Sequence, residues 1–254
     1  MAPVVVPETV TTFGRAIAEV LRAHLDADFI GIYFVGSVAL GGYVQGESDI
    51  DIAAVCERRL PESERIVLAA AIADTTNECP ARGLEFTLYR REIASSQSGG
   101  ADFEVNANGG PRMDRLTRVS SDDQPGFWYL LDRAIAHRCG IAITGPPAAE
   151  VFSDLPRRML LEAMRSSMRW HRAHERATLY SVLNAARAWR FASEDILGSK
   201  LDGAAWARRR WPHPVVIDAA VDLRHGRSGQ LDEADVQQLL DHVEQQLAEA
   251  LRAI

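Results

Sequence analysis

The chain has 254 residues, of which 47% are hydrophobic and 25% charged, so it can bury one large core or two smaller ones. Its formal net charge of −7 argues against a surface adapted to a nucleic-acid backbone, and no apolar run reaches the ~18–20 residues of a membrane span. Cys56, Cys79 and Cys139 form neither a zinc pattern nor a plausible disulfide framework. We therefore expect a cytoplasmic globular protein without nucleic-acid or membrane partners.

The first half of the chain predicts alternating helices and strands. Apolar residues at helical spacing predict an amphipathic helix over residues 7–26, and an apolar run predicts a strand over 30–35. The elements predicted next are a short helix after Gly36-Ser37, a strand over 49–56, a helix over 61–77, a strand over 84–89 and a helix over 126–138. Residues 94–126 are rich in Gly, Ser, Asn and Asp and predict a loop with one short strand around 102–106.

The second half of the chain predicts helices only. The Gly-Pro-Pro at 145–147 is the predicted boundary between domains 1–147 and 148–254. The helices predicted beyond it are 156–174, 178–196, 201–211, 214–225 and 232–252. The fold prediction is an α/β (α+β) domain with a small mixed sheet, followed by an all-α helical bundle domain. We expect a ligand cleft between the two domains, which could act together as a monomer.

Two carboxylates that alternate with isoleucines carry the clearest chemical signal. Asp49 and Asp51 alternate with Ile50 and Ile52, so on a strand both aspartates face one side and both isoleucines the other. The isoleucines can then enter a core while the aspartates form a paired oxygen site. Such a pair suits Mg²⁺, which proteins hold through one or two carboxylates plus substrate phosphates. We predict that Asp49 and Asp51 are catalytic metal ligands.

A turn suited to phosphate binding precedes this pair. Gly36 lets the backbone approach a ligand closely, and amides at the following helix start, with Ser37, can bind phosphate. Phosphate contacts together with metal ligands indicate nucleotidyl transfer, which also needs a base for the attacking hydroxyl. Glu85 is the candidate base, because it faces away from the core on its predicted strand and would lie beside the aspartates if the two strands are neighbours. The alternative for Glu85 is a solvated strand carboxylate.

Two cations of the second domain are candidate ligands of a nucleotide triphosphate. Arg187 lies among small and apolar residues on a helix that should be buried, and a buried arginine needs an anionic partner. A triphosphate and a structural salt bridge both fit that requirement. Lys200 stands at a predicted helix start and could reach the pyrophosphate, although an isolated lysine there is usually just solvated.

Polar residues elsewhere are candidates for binding a second substrate. Glu104, Asn106 and Asn108 could line a site for a polyhydroxylated, cationic sugar, although Asn-Gly loops are also common turns. A further cluster consists of Trp170, His171, His174 and Glu175. It is either part of such a pocket or a helix end that faces solvent. The acidic net charge suits a cationic small-molecule partner.

The spacing of Gly36-Ser37 and the two aspartates resembles the nucleotidyltransferase superfamily, the DNA polymerase β-like fold. The segments Tyr180–Trp189 and Gly198–Trp206 resemble the helical domain of the aminoglycoside nucleotidyltransferases, in the branch that includes the streptomycin and spectinomycin adenylyltransferases. Phe127–Asp132 and Gly140–Pro146 are similar to the end of that family's first domain. The resemblance covers nearly the full chain.

The resemblance implies an enzyme that transfers AMP from ATP, with two Mg²⁺ ions, to a hydroxyl of an aminoglycoside or aminocyclitol antibiotic, which inactivates the drug. It also implies that Glu85 is the base and that Arg187 and Lys200 bind the triphosphate from the second domain. Residues 103–110 lack the tryptophan that streptomycin-type members carry there, so the sequence does not identify the drug. The alternatives are a metabolite or protein side chain as acceptor, and a non-catalytic nucleotide-binding module.

Overall fold

The computed structural model describes residues 4–254, which form two compact units. The first unit ends at Leu155, and the second comprises Pro156–Ile254. A six-stranded sheet and helices make up the first unit, whereas helices and their connections make up the second. The predicted fold class is therefore confirmed. The predicted domain boundary after residue 147 stays a prediction.

The first unit alternates helices and strands as its periodicity predicts. Its helices are α1 (Glu8–Leu25), α2 (Gly36–Ala39), α3 (Glu62–Thr75), α4 (Arg91–Ala94), α5 (Gly126–Cys139) and α6 (Ala148–Val151). Its strands are β1 (Phe29–Phe34), β2 (Ile50–Cys56), β3 (Leu84–Arg90), β4 (Val105–Gly110), β5 (Met113–Arg118) and β6 (Ile141–Thr144). The sheet order is β5-β4-β3-β2-β1-β6, in which β2 and β3 run parallel and every other described pair is antiparallel.

One face of this sheet forms the main core of the first unit, together with α1 and α3. Ile50 and Ile52 point into this core with 0% and 2% of their surface exposed, as their alternation with the aspartates predicts. β3 and β4 contribute their own alternate residues to the same core, namely Leu84, Phe86, Leu88, Val105 and Ala107. The residues between them on each strand therefore lie on the opposite face of the sheet.

The predicted loop over residues 94–126 is wrong for 105–118, which form the hairpin of β4 and β5. Val105 and Ala107 alternate into the core, but the other residues of β4 are asparagines and glycines, which have low strand propensity and hide the pattern. Backbone pairing of β4 with β3 outweighs that propensity. The short predicted strand around 102–106 overlaps β4 only at its beginning.

The second unit contains five helices, close to the predicted ranges. They are α7 (Arg157–His174), α8 (Leu179–Glu194), α9 (Lys200–Arg208), α10 (Val215–Arg224) and α11 (Glu233–Arg252). The apolar stripe of α11 packs against α7 and α8, and five of its residues are fully buried: Val236, Leu239, Leu240, Val243 and Leu247. Across residues 4–254, no helix is both long enough and apolar enough to span a membrane.

Candidate active site

A row of polar side chains crosses three neighbouring strands on the sheet face that lies opposite the core. Asp51 of β2 is the register partner of Glu85 of β3, and Glu85 is the partner of Asn108 of β4. Register partners on adjacent strands lie side by side on one face, with strands about 4.8 Å apart. The structure therefore brings Asp51, Glu85 and Asn108 together, with Asp49 one alternation before Asp51.

The Gly36-Ser37 turn is built directly onto Asp51. The Ser37 backbone amide donates to Asp51 Oδ2 at 3.2 Å, and the Ser37 hydroxyl donates to the Asp49 carbonyl at 3.5 Å. Gly36 has a φ of +51°, and a Cβ at that position would lie 1.9 Å from Asp51 Oδ2. Only glycine fits here, because both the backbone conformation and the adjacent carboxylate exclude a side chain.

Gly36→Ala is expected to lower both the melting temperature and turnover. The left-handed backbone costs an alanine about 1–2 kcal/mol, and the new methyl group would displace the Asp51 carboxylate. Gly46→Ala is the matched control, because Gly46 also has a positive φ (+80°) but has open space around its Cβ position. Thermal melting should show destabilisation in both variants, with loss of turnover in Gly36→Ala alone. Equal turnover of the two variants would contradict the proposed importance of the Asp51 position.

The aspartate pair has the donor chemistry that Mg²⁺ prefers. Carboxylate oxygens are hard ligands, and Mg²⁺ completes its shell with water and substrate phosphates, so two aspartates suffice. Within residues 4–254, no group of three or more His, Cys, Asp or Glu side chains is arranged to hold a metal. The two carboxylates fit, by their ligand chemistry, an ion that Asp49 and Asp51 would share with a bound nucleotide.

Glu85 is exposed and has an unsatisfied polar atom of Asn108 beside it. Glu85 is exposed, so solvent and substrates can reach its carboxylate. Asn108 Oδ1 beside it is buried and has no hydrogen-bond partner among the described residues. Burial raises the pKa of Tyr129 on α5 to about 12, and the Glu85 charge contributes to that rise. Asn108 therefore keeps an acceptor available for a donor that a ligand would bring.

The structure corrects the prediction that Glu104 lines the acceptor site. Its carboxylate is 2% exposed, with Oε1 accepting from Arg90 Nη1 at 3.1 Å and Oε2 accepting from the Leu60 amide at 3.0 Å. It lies four positions before Asn108, which corresponds to about 13 Å along a strand. Glu104 is therefore a buried structural ion-pair partner rather than a substrate ligand.

Asn106 is also occupied by structural contacts. Its side-chain amide donates to the Phe86 carbonyl at 3.0 Å and to Thr87 Oγ1 at 3.2 Å, and its oxygen accepts from Arg118 at 3.1 Å. With 5% of its surface exposed, it ties β3 to β5. Of the three predicted acceptor ligands, Asn108 alone keeps a place in the proposed site.

In the second unit, a capping box fixes Lys200 in the first turn of α9. Ser199 Oγ accepts from the Asp202 amide at 3.1 Å, and Asp202 Oδ2 accepts from the Ser199 amide at 3.2 Å. The Lys200 ammonium lies 5.0 Å from the centroid of the Tyr180 ring, in a cation–π contact. Lys200 is therefore held by its helix start and by an aromatic ring on α8.

A close approach of α9 to α8 brings Lys200 near Arg187. A Cβ on Gly203 would lie 2.7 Å from the Arg187 Cα and 2.8 Å from its backbone nitrogen. Gly203 stands one turn after Lys200, on the same face of α9. The missing side chain of Gly203 thus lets α9, one turn after Lys200, lie directly against the backbone of α8 at Arg187.

Gly203→Ala is expected to destabilise the second unit and to weaken ATP binding. Alanine gains about 1 kcal/mol of helix propensity, but overpacking against rigid backbone costs about 1–3 kcal/mol and pushes Lys200 away from Arg187. Gly99→Ala is the control, because its Cβ would meet only Leu130 Cδ1, at 3.9 Å. Thermal melting and the KM for ATP check the prediction. An unchanged KM would show that helix spacing does not set the cation positions.

A chain of hydrogen bonds connects Arg187 to His171 and Glu175 through Asn184, a residue that the sequence analysis does not single out. Arg187 Nη2 donates to Asn184 Oδ1 at 3.2 Å, and Asn184 Nδ2 lies 2.9 Å from His171 Nε2. His171 is 3% exposed, and its Nδ1 lies 2.8 Å from Glu175 Oε2. The hydrogen bond from His171 lowers the pKa of Glu175. The i, i+3 spacing of Asn184 and Arg187 is the sequence signal that indicates their contact.

Comparisons with known proteins agree with this architecture. Residues 150–249 match the family model described as aminoglycoside adenylyltransferase, C-terminal domain. The chain is 26% identical over 231 residues to an aminoglycoside (3'')(9) adenylyltransferase of Shigella flexneri, covering 86% of this chain and 87% of that protein. Identity to the Escherichia coli enzyme of the same name is also 26% over 231 residues, covering 86% of both chains.

A solved structure has the same fold. The spectinomycin adenyltransferase AAD(9) from Enterococcus faecialis, crystallised with ATP and spectinomycin, superposes with a TM-score of 0.71 at 16% identity, covering 93% of this chain and 98% of that one. The predicted resemblance and enzyme class are confirmed by these matches. Residues 150–249 match the family model of the aminoglycoside adenylyltransferase C-terminal domain, and the chain as a whole resembles the aminoglycoside adenylyltransferases.

Proposed function

We propose that this protein transfers AMP from ATP to a hydroxyl of an aminoglycoside or aminocyclitol antibiotic, in an Mg²⁺-dependent reaction. The observation that carries the proposal is the pairing of Asp51 with Glu85 across β2 and β3, next to the Gly36-Ser37 turn that contacts Asp51. Asp51, the proposed metal ligand, and Glu85 are neighbours on one sheet face. The Gly36-Ser37 turn, which is proposed to contact phosphate, donates a hydrogen bond to Asp51. Relatives that span most of the chain carry the name of this activity.

The proposed chemistry is an in-line displacement at the α-phosphorus. The acceptor oxygen forms a bond to the α-phosphorus, the bond from that phosphorus to the β-phosphate oxygen breaks, and pyrophosphate leaves. Glu85 takes the proton of the attacking hydroxyl, a role that suits an exposed carboxylate beside the aspartates. Asp49 and Asp51 would hold Mg²⁺, which neutralises phosphate charge when bound.

Cations and backbone amides position the nucleotide in this proposal. Arg187 and Lys200 bind the β- and γ-phosphates, and the Gly36-Ser37 turn supplies amide contacts to phosphate. The close approach of α9 to Arg187 at Gly203, one turn after Lys200, supports assigning both cations to one polyanionic ligand.

The acceptor is proposed to be a cationic, polyhydroxylated drug. The net charge of −7 favours the approach of such a molecule, and Asn108 beside Glu85 offers a buried acceptor atom to its hydroxyl or ammonium groups. The names of the relatives support aminoglycosides as the substrate class, and the similar solved structure was crystallised with spectinomycin.

The test is pyrophosphate release from ATP and Mg²⁺ with the purified protein, across spectinomycin, streptomycin and several deoxystreptamine aminoglycosides. Release with one or two drugs, and a drug whose mass rises by one AMP group, is the expected result. Glu85→Gln, purified and assayed in parallel, distinguishes the activity of this protein from that of contaminating enzymes. If the protein bound ATP with Mg²⁺ but released no pyrophosphate with any drug of the panel, the antibiotic would be removed from the proposal. The acceptor would then be a metabolite or a protein.

A further inference from the structure

We propose that Asn184 is a positioning residue for the nucleoside triphosphate. Asn184 orients the Arg187 guanidinium, and His171 in turn fixes the orientation of the Asn184 amide. The inference rests on the proposed function, since Arg187 must bind phosphate for its orientation to matter. The juxtaposition that carries it is the line of contacts from Arg187 through Asn184 and His171 to Glu175.

The direction of every hydrogen bond in this line follows from Arg187. A guanidinium can only donate, so the atom 3.2 Å from Arg187 Nη2 must be the oxygen of the Asn184 amide. The nitrogen of that amide therefore faces His171 Nε2 at 2.9 Å and donates to it. His171 Nε2 accepts, so its proton is on Nδ1, which donates to Glu175 Oε2 at 2.8 Å.

The far end of the line is anchored by several fixed contacts. Glu175 Oε2 also accepts from Thr178 Oγ1 at 3.3 Å, and Thr178 is the N-cap of α8. His171 is almost fully buried on α7, so its ring has little freedom to turn. The Glu175 carboxylate, which is held by the N-cap of α8, thereby fixes the orientation of the His171 ring. The ring in turn fixes the orientation of the Asn184 amide, one helical turn before Arg187.

Asn184 is better suited to orient the Arg187 guanidinium than to neutralise its charge. Asn184 leaves the positive charge of Arg187 unreduced, whereas a carboxylate in its place would compete with phosphate for the guanidinium. A long arginine side chain loses considerable rotamer entropy when it binds a ligand. The Asn184 contact restricts that freedom in advance, so we expect it to strengthen binding of the β- and γ-phosphates specifically.

The test compares Asn184→Leu with the wild type and with Arg187→Met in the full chain. Calorimetric titration uses Mg²⁺ with an ATP analogue whose α,β-bridging oxygen is replaced by methylene, and separately AMP. Loss of a hydrogen bond to a charged group predicts roughly tenfold weaker binding of the analogue by Asn184→Leu, with AMP affinity unchanged. Turnover assays should show a raised KM for ATP with kcat nearly retained.

Variants of His171 test the second step of the line. His171→Leu removes the acceptor and should weaken binding of the analogue, whereas His171→Gln keeps a polar oxygen at the position of Nε2 and should restore it. His174→Leu is the matched control, because His174 lies on the same helix, is exposed and has its ring stacked on Trp170. Thermal melting of each variant identifies any that fails to fold.

The possible outcomes separate this inference from the proposed function. If Arg187→Met binds the analogue as tightly as the wild type, the proposed role of Arg187 falls and the positioning role with it. If Arg187→Met is weakened but Asn184→Leu is not, only the positioning role is overturned. Equal losses for AMP and the analogue in Asn184→Leu would indicate general loosening of the second unit and would likewise overturn it.

Discussion

Glu85→Gln is expected to lower kcat by about 10²–10⁴-fold, the usual contribution of a general base, while affinity for ATP with Mg²⁺ stays nearly unchanged. The substitution keeps the size of the side chain and removes its negative charge and with it the ability to take a proton. Because Glu85 is exposed, the change should alter the free energy of unfolding by no more than about 0.5 kcal/mol. Single-turnover rates with a saturating acceptor measure the chemical step directly.

Glu78→Gln is the matched control for this prediction. Glu78 is an exposed glutamate of the same unit that lies outside the row of Asp51, Glu85 and Asn108. The control should retain the wild-type rate, melting temperature and ATP affinity. Turnover of Glu85→Gln at the wild-type rate would show that another group takes the proton. A matching loss of ATP affinity would indicate that Glu85 is a metal ligand instead.

The row of polar side chains on β2, β3 and β4 could be predicted only in part, because only the alternation within a strand is a local signal. Alternation of Asp49 and Asp51 with buried isoleucines predicts both the strand and the face on which the carboxylates lie. The register that places Glu85 beside Asp51 is not local, but it follows from two neighbouring parallel strands whose apolar residues must share one core. Strand alternation and core burial together thus determine this part of the site.

Glu104 shows where such reasoning fails. Glu104 lies in the short strand predicted around 102–106, and its carboxylate would suit a polyhydroxylated, cationic sugar. Its two partners, Arg90 at the end of β3 and the Leu60 amide, are 14 and 44 residues away in the chain. No short-range pattern indicates these contacts, because pairing of β4 with β3 creates them.

The surface of the second unit around Arg187 was only partly predictable. Family resemblance implies roles for Arg187 and Lys200, but the requirement for Gly203 comes from the spacing of two packed helices, which one sequence does not specify. His171 could equally have faced solvent at the end of its helix. Its burial and its contact with Asn184 on another helix depend on how α7 and α8 pack.

Asp51→Asn is expected to remove the effect of Mg²⁺ on both nucleotide binding and turnover. The amide oxygen of asparagine can still accept from the Ser37 amide, which now donates to Asp51 Oδ2 at 3.2 Å, so the turn should persist. The lost charge weakens the metal site, whose contribution of several kcal/mol corresponds to at least about 10³-fold in rate. Asp49→Asn should have a similar effect, because the two carboxylates act on one ion.

Titration of ATP with and without Mg²⁺ measures this dependence without relying on turnover. The wild type should bind ATP more tightly with Mg²⁺ than with a chelator, whereas Asp51→Asn should bind equally weakly in both. The double variant should lose no more than either single variant, since residues that act as a unit are not additive. If Asp51→Asn kept the full gain from Mg²⁺, the ion would lie elsewhere, and the pairing of Asp51 with Glu85 could no longer carry the proposed function.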